Sequence, residues 1–196
     1  MKKSVNLKSF YYGFPVFLAS TRDPITQQLN IAPLSASFSL GNTLMIGVNK
    51  SNKTHDNIVA GSDVVINIPP HQLWSKIEQL GRMTGREIVP DSKRSQGFSS
   101  CTDKADAAGF TLEASTYVSP DRVADCPIQA ECKTVDVIEK EAFILVELAI
   151  KQVWIDEYLL NEDGSLNTAQ WNPLIYKFRE YNTTTDAFGF NFKYGS

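Results

Sequence analysis

The sequence predicts a mainly β fold, an antiparallel β-barrel with a few short helices. Two observations predict it. Short apolar or alternating segments bounded by Gly, Pro and Asn recur along the whole chain, and only a few stretches carry helical spacing. Strands and helices also fail to alternate regularly, which excludes a doubly wound sheet. The 196 residues suffice for one domain spanning 1–196.

The elements follow in chain order. "FPVFLAST" (14–21) is apolar and flanked by turn formers, a buried strand. "RDPITQQ" (22–28) holds Asp-Pro and suits a turn. "LNIAPLSASFSL" (29–40) alternates around Pro33, which places it at an edge or a bulge. "TLMIGVN" (43–49) is a strand whose Gly47 marks a close backbone approach. In "THDNIVAG" (54–61), Thr54 caps a short helix that Gly61 ends. "DVVINIP" (63–69) is a strand stopped by Pro69-Pro70. "HQLWSKIEQLGRM" (71–83) carries Leu73, Trp74, Ile77 and Leu80 as one apolar helical stripe, a core face.

Residues 84–103 read as a long polar loop, and "KADAAG" (104–109) as a turn of helix. "FTLEASTYV" (110–118) alternates as a strand. "CPIQAECKTVDVIEK" (126–140) alternates too, but its apolar parity switches near Thr134, which predicts a bulge. "AFILVELAIKQVWI" (142–155) places Ile144, Val146, Leu148 and Ile150 on one face. "EDGS" (162–165) is a turn, and "NPLIYKFREYN" (172–182) a short aromatic segment.

Composition narrows the function. Charged residues are 21% and the net charge is -3, so nothing favours nucleic acid or an anionic membrane as partner. The longest apolar run is broken by Glu147 and Lys151, and the N-terminus lacks the pattern of a signal peptide, so the expected location is the cytoplasm. The chain has 3 cysteines. Along a strand Cys126 and Cys132 would stand about 20 Å apart, too far for a disulfide. With 2 histidines, a metal site built from His and Cys is not expected.

Two stretches concentrate small polar groups. "NKSNKTHDNI" (49–58) offers Asn49, Lys50, Ser51, Lys53 and Thr54 where a helix begins. Such a set suits a phosphate, or simply a solvated loop with a helix cap. It is not the Gly-rich phosphate loop of nucleotide hydrolases. "NIAPLSASF" (30–38) offers Asn30, Ala32, Pro33 and Ser35, small groups that let backbone approach a flat ring with a polar edge, or else an irregular edge strand facing water. Arg86 and Lys104 could meet an anionic substrate; a solvated loop charge is the stronger reading of both. Tyr176 and Tyr181 read as core or interface packing.

Four blocks stand in a recognisable order: the strand "FPVFLAST", the motif "NIAPLS", "LMIGVNKSNKTHDNI" with its Thr-x-x-Asn-Ile helix start, and the strand "DVVINIP". Together with "DCPIQAECK", "DEYLLNEDGSLN" and "NPLIYKFREY", they resemble the flavin reductase-like family of FMN-binding split barrels, and its flavoredoxin-like branch. The likeness covers roughly residues 10–182; within it, residues 80–109 match loosely, keeping Thr84-Gly85 and Asp103-Lys104.

The resemblance implies a Greek-key-like split β-barrel that forms a homodimer and binds FMN near the subunit interface. It implies FMN contacts from Asn30, Ala32, Pro33, Leu34, Ser35, Asn49, Lys50, Ser51, Lys53, Thr54 and Asn57. It also implies NADH or NADPH as reductant, giving hydride to flavin N5, with electrons passing to a small-molecule acceptor such as free flavin or a ferric chelate, or to a partner monooxygenase. No side chain is expected as catalytic acid, base or nucleophile, because the cofactor carries the chemistry. The alternative is an FMN-holding electron carrier or sensor without its own NAD(P)H turnover.

Overall fold

A computed structural model describes residues 1–7 and 9–189; residue 8 and residues 190–196 of the expected domain span lie outside the described residues. Seven strands build the main sheet. They are β2 (Phe17–Arg22), β3 (Leu29–Leu34), β4 (Ser37–Leu40), β5 (Thr43–Asn49), β6 (Val64–Ile68), β11 (Ile128–Glu139) and β12 (Phe143–Ile155), in the order β3-β2-β6-β11-β12-β5-β4. Every neighbouring pair is antiparallel. The edge strands β3 and β4 are consecutive in the chain, with only Ser35 and Ala36 between them. So short a link draws opposite edges of the sheet together, and the twisted sheet curls into a split barrel. Ala36 also receives the Gly47 N–H at 2.9 Å, and a Cβ added to Gly47 would meet Ala36 Cβ at 3.2 Å, the close approach that the glycine predicts.

Both faces of β2 are buried, which is why "FPVFLAST" is apolar throughout. Phe17 and Ala19 point into the barrel with Ile46, Val48, Ile144, Val146 and Leu148. Val16 and Leu18 point outward, against Ile77 and Leu80 of helix α2 (Trp74–Gly81). Trp74 departs from the expected stripe and is 52% exposed. Pro33 sits on edge strand β3, where a missing N–H does no harm. The predicted bulge is present as a register shift between Thr134 and Asp136. Cys126 and Cys132 are buried free thiols, and Cys126 precedes β11 in a turn.

The remaining elements are short: β1 (Tyr12–Pro15), α1 (Lys53–Val59), β7 (Met83–Thr84), α3 (Asp91–Arg94), β8 (Ser99–Ser100), α4 (Lys104–Ala107), β9 (Leu112–Glu113), β10 (Arg122–Val123), β13 (Ile175–Lys177) and β14 (Glu180–Asn182). Two expectations need correction. Thr54 does not cap α1; it is the second helical residue, and Asn52 holds the cap position without a side-chain cap bond. The helix is stopped by Gly61, whose φ of +101° takes the left-handed step closed to most residues. The strand expected over 110–118 survives only as β9. Beyond it the Thr116 and Tyr117 amides are taken by the carboxylate of Glu131, at 3.0 and 2.6 Å, so they are not free to pair with a strand.

Candidate functional site

A cavity of about 150 Å³ lies between edge strand β3, the start of α1, the end of α2 and the polar segment from Met83 to Lys104. β3 contributes Asn30, Ala32 and Pro33; the α1 start contributes Asn52, Lys53 and Thr54; the polar segment contributes Thr84, Gly85, Lys93, Phe98 and Lys104. This segment reaches the barrel through a clasp. Arg86 grips Asp56 with Nε at 2.7 Å and Nη2 at 2.6 Å, and Nη2 also donates to the Lys50 carbonyl at 2.7 Å. Burial pushes the Asp56 carboxyl up, but the hydrogen bonds and charges of Arg86 and His55 together hold it below its ordinary range. Arg86 is therefore a structural clasp rather than the solvated loop charge that the sequence suggests.

Three lysines reach the cavity. Lys104 is 3% exposed, against the expectation of a solvated charge. Among the described residues it makes no ion pair. Burial, then the positive charge of Lys93, pulls its pKa down to about 8, with Cys101 opposing. Lys93 donates to Asn52 Oδ1 at 2.6 Å and stands 5.2 Å above the Phe98 ring centroid. Burial, then the Arg86 guanidinium, brings it also to about 8, against the pull of Asp56. Lys53 pairs with Asp23 at 2.7 Å; its hydrogen bond, followed by those of the Thr26 and Ile25 amides, lowers Asp23 to about 2.

The neutral groups are arranged just as tightly. Thr54 is fully buried, and its hydroxyl oxygen accepts from Asn30 Nδ2 at 3.1 Å, leaving the hydroxyl hydrogen free to donate. Asn30 Oδ1 is buried without a hydrogen-bond partner. Gly85 closes over both: an added Cβ would stand 2.6 Å from Asn30 Oδ1 and 3.1 Å from Lys53 Cγ, so a larger residue displaces the wall.

Of the residues singled out from sequence, the structure brings Asn30, Ala32, Pro33, Lys53, Thr54 and Lys104 to this cavity. The others stand apart. Asn49 Oδ1 closes a turn on the Ser51 amide and hydroxyl at 2.9 and 2.8 Å, and Lys50 pairs with Glu139. Leu34 packs on the barrel core, Ser35 lies in the β3–β4 link, and Asn57 is buried with Nδ2 donating to Thr21 at 3.1 Å. Sequence reasoning did not assign Asn52, Lys93, Phe98 or Gly85 to the site. The retained Thr84-Gly85 and Asp103-Lys104 pairs are the signal in the sequence from which this segment could be found. Among the described residues no group of His, Cys, Asp and Glu could hold a metal ion, and no helix is long and apolar enough to cross a membrane.

The curled antiparallel sheet is a split barrel of the kind seen in FMN-binding proteins. Residues 9–185 match the flavin reductase like domain, and the chain belongs to that family. It is 36% identical over 184 residues to the uncharacterized protein YdfE of Bacillus subtilis (strain 168), covering 91% of this chain and 87% of that one. In fold it is similar to flavoredoxin of Desulfovibrio vulgaris (Miyazaki F), with a TM-score of 0.82 at 22% identity over 100% of both chains. It is also similar to flavoredoxin from Methanosarcina acetivorans, with a TM-score of 0.80 at 20% identity, covering 100% of this chain and 97% of that one.

Proposed function

We propose that the chain binds FMN, with its phosphate ester in the lysine-lined cavity, and works as a flavin-dependent oxidoreductase. Lys104 carries this reading. A lysine 3% exposed, without a carboxylate partner, is costly in a folded chain, and a dianionic ester offsets that cost. The donor set fits: Lys53, Lys93 and Lys104 supply charge, the Thr54 hydroxyl a hydrogen, and Asn30 Oδ1 a buried acceptor for a sugar-alcohol hydroxyl. A cavity of about 150 Å³ takes the ester end of the molecule and leaves the ring system outside it. We assign that ring to the backbone and small side chains of Ala32, Pro33, Leu34 and Ser35.

Bound FMN would supply the redox chemistry, taking hydride from NADH or NADPH at N5 and passing electrons to free flavin, a ferric chelate or a partner monooxygenase. The chain's own residues anchor and orient. Lys93 and Lys104 fix one end, Gly85 lets the wall close, and no side chain has to move a proton. We place this work in the cytoplasm, consistent with three free thiols.

We further assign a homodimer. Edge strand β4 exposes Phe38 at 60% and Leu40 at 75%, beside an apolar groove of about 460 Å³ lined by Phe14, Met45, Phe143 and Leu145. An exposed apolar edge of this kind is stable in water when a second copy covers it. Light scattering tests this: a mass near 21.8 kDa, the single-chain value, would refute it.

The deciding experiment is a visible spectrum of the purified protein before and after anaerobic addition of NADH or NADPH. A flavin band that bleaches supports the reductase. A colourless protein that takes up no added FMN refutes the flavin reading. A flavin band unmoved by both nucleotides turns the assignment to an electron carrier or sensor.

A further inference from the structure

A second cavity, of about 440 Å³, opens at the other end of α2. His71, Trp74, Leu174, Tyr181, Asn182 and Thr183 line it. The lysine-lined cavity touches the same helix through Leu80 and Gly81. Eight helical residues separate the two ends by about 12 Å. The volume falls in the range of sites for small organic molecules.

The wall chemistry narrows the occupant. No lysine, arginine, aspartate or glutamate lines the cavity, so no permanent charge there compensates an ion. The Tyr181 hydroxyl is held by Glu78 Oε2 at 3.1 Å, and burial, then the Glu78 charge, pushes its pKa up to about 12. Glu78 at the margin also disfavours an anionic guest. The half-exposed Trp74 indole lines the cavity 6.4 Å from the Tyr181 ring and tilted by 42° to it. Two buried polar atoms of the lining residues, His71 Nδ1 and Asn182 Nδ2, lack any hydrogen-bond partner. Such orphans are uncommon and each costs free energy. The terminal torsion of an asparagine amide is broad, so Nδ2 can turn toward an acceptor in the cavity.

We propose that this cavity is a binding site for an uncharged, flat aromatic molecule bearing a carbonyl oxygen, stacked on Trp74 and hydrogen-bonded by Asn182. The ring meets the indole face, and the carbonyl satisfies the orphaned amide. The proposal does not depend on the phosphate assignment, because the two sites share no wall residue.

Calorimetric titration of the full chain with acetylnaphthalene, and with ethylnaphthalene as the oxygen-free counterpart, tests it. The ketone should bind about fivefold tighter, the worth of one net hydrogen bond. Asn182→Leu should erase that preference without weakening the hydrocarbon. Trp74→Ala should weaken both about tenfold, and Trp74→Phe should recover most of the loss. Saturating FMN should leave ketone binding unchanged. The proposal is overturned by no binding to the unmodified protein, by equal affinity for ketone and hydrocarbon, or by full affinity in Trp74→Ala. Mutual exclusion of ketone and FMN would overturn it as well, since the cavity would then belong to the flavin. FMN affinity, read separately at Lys104, distinguishes failure here from failure of the flavin assignment.

Discussion

Among the described residues, two places bury a full charge, and they treat it in opposite ways. Glu131 on β11 is fully buried. Burial pushes its carboxyl up, but the Tyr117 and Thr116 amides, then the Trp154 indole N–H at 2.8 Å and the Arg122 charge, hold it below its ordinary value. Arg122 stands 3.6 Å away in turn, with its guanidinium over the Trp154 ring at 4.7 Å. That charge is enclosed by donors. Lys104 is buried almost as deeply, yet meets a second lysine instead of a carboxylate, and it opens on a cavity. A buried charge with its partners in place is architecture; one held without them reserves a place for a ligand.

The comparison breaks most visibly at Glu131. Glu131→Ala takes the acceptor from the Thr116, Tyr117 and Trp154 N–H groups and one carboxylate from the buried Arg122, and should cost about 3–5 kcal/mol, measured by urea unfolding. FMN affinity of the folded protein should be unchanged, since the cluster does not line the lysine cavity. Lys104→Met should do the reverse. Removing an uncompensated buried ammonium should raise the stability of the flavin-free protein by about 1–3 kcal/mol, while FMN affinity falls about a hundredfold. A destabilised Lys104→Met protein that binds FMN normally would erase the contrast.

The same contrast explains what could be read in the sequence. The barrel was legible because its signals are local: Ile144, Val146 and Leu148 alternate along one strand, and all three are fully buried. The lost strand at 110–118 was illegible because its amides bond to Glu131, a residue in another strand. The cavity was half legible. Asn30, Ala32, Pro33, Lys53 and Thr54 lie in two compact motifs, and the structure brings them together. Lys104 could not be seen as buried, because its burial depends on a polar segment pinned by the Arg86–Asp56 clasp and the Lys93–Asn52 bond. No periodicity announces contacts of that kind.

A smaller effect sharpens the motif side of the cavity. Lys53→Ala with Thr54→Ala removes one charge and one free hydroxyl, but Lys53 is already half neutralised by Asp23 at 2.7 Å. The double variant should therefore lose about tenfold in FMN affinity, less than Lys104→Met alone, by fluorescence titration. A loss greater than that of Lys104→Met would move the centre of the anion site to the α1 start.

The finest test is pH. In the flavin-free fold Lys93 and Lys104 sit at about 8, lowered from 10.5. Between those values the folded chain holds fewer protons than the unfolded one, so flavin-free stability rises with pH across that window, and the full penalty applies below it. A bound phosphate dianion restores both protons. FMN binding above about pH 8 must then take up protons, and affinity falls as pH rises. Below about pH 6 the ester itself loses its second charge, and affinity falls again. Fluorescence titrations should show an optimum between roughly pH 6 and 8, and Lys104→Met should flatten the alkaline limb while leaving the acid limb in place. An alkaline limb that persists unchanged in that variant would mean that the titrating group lies elsewhere, and Lys93 is then the next residue to replace.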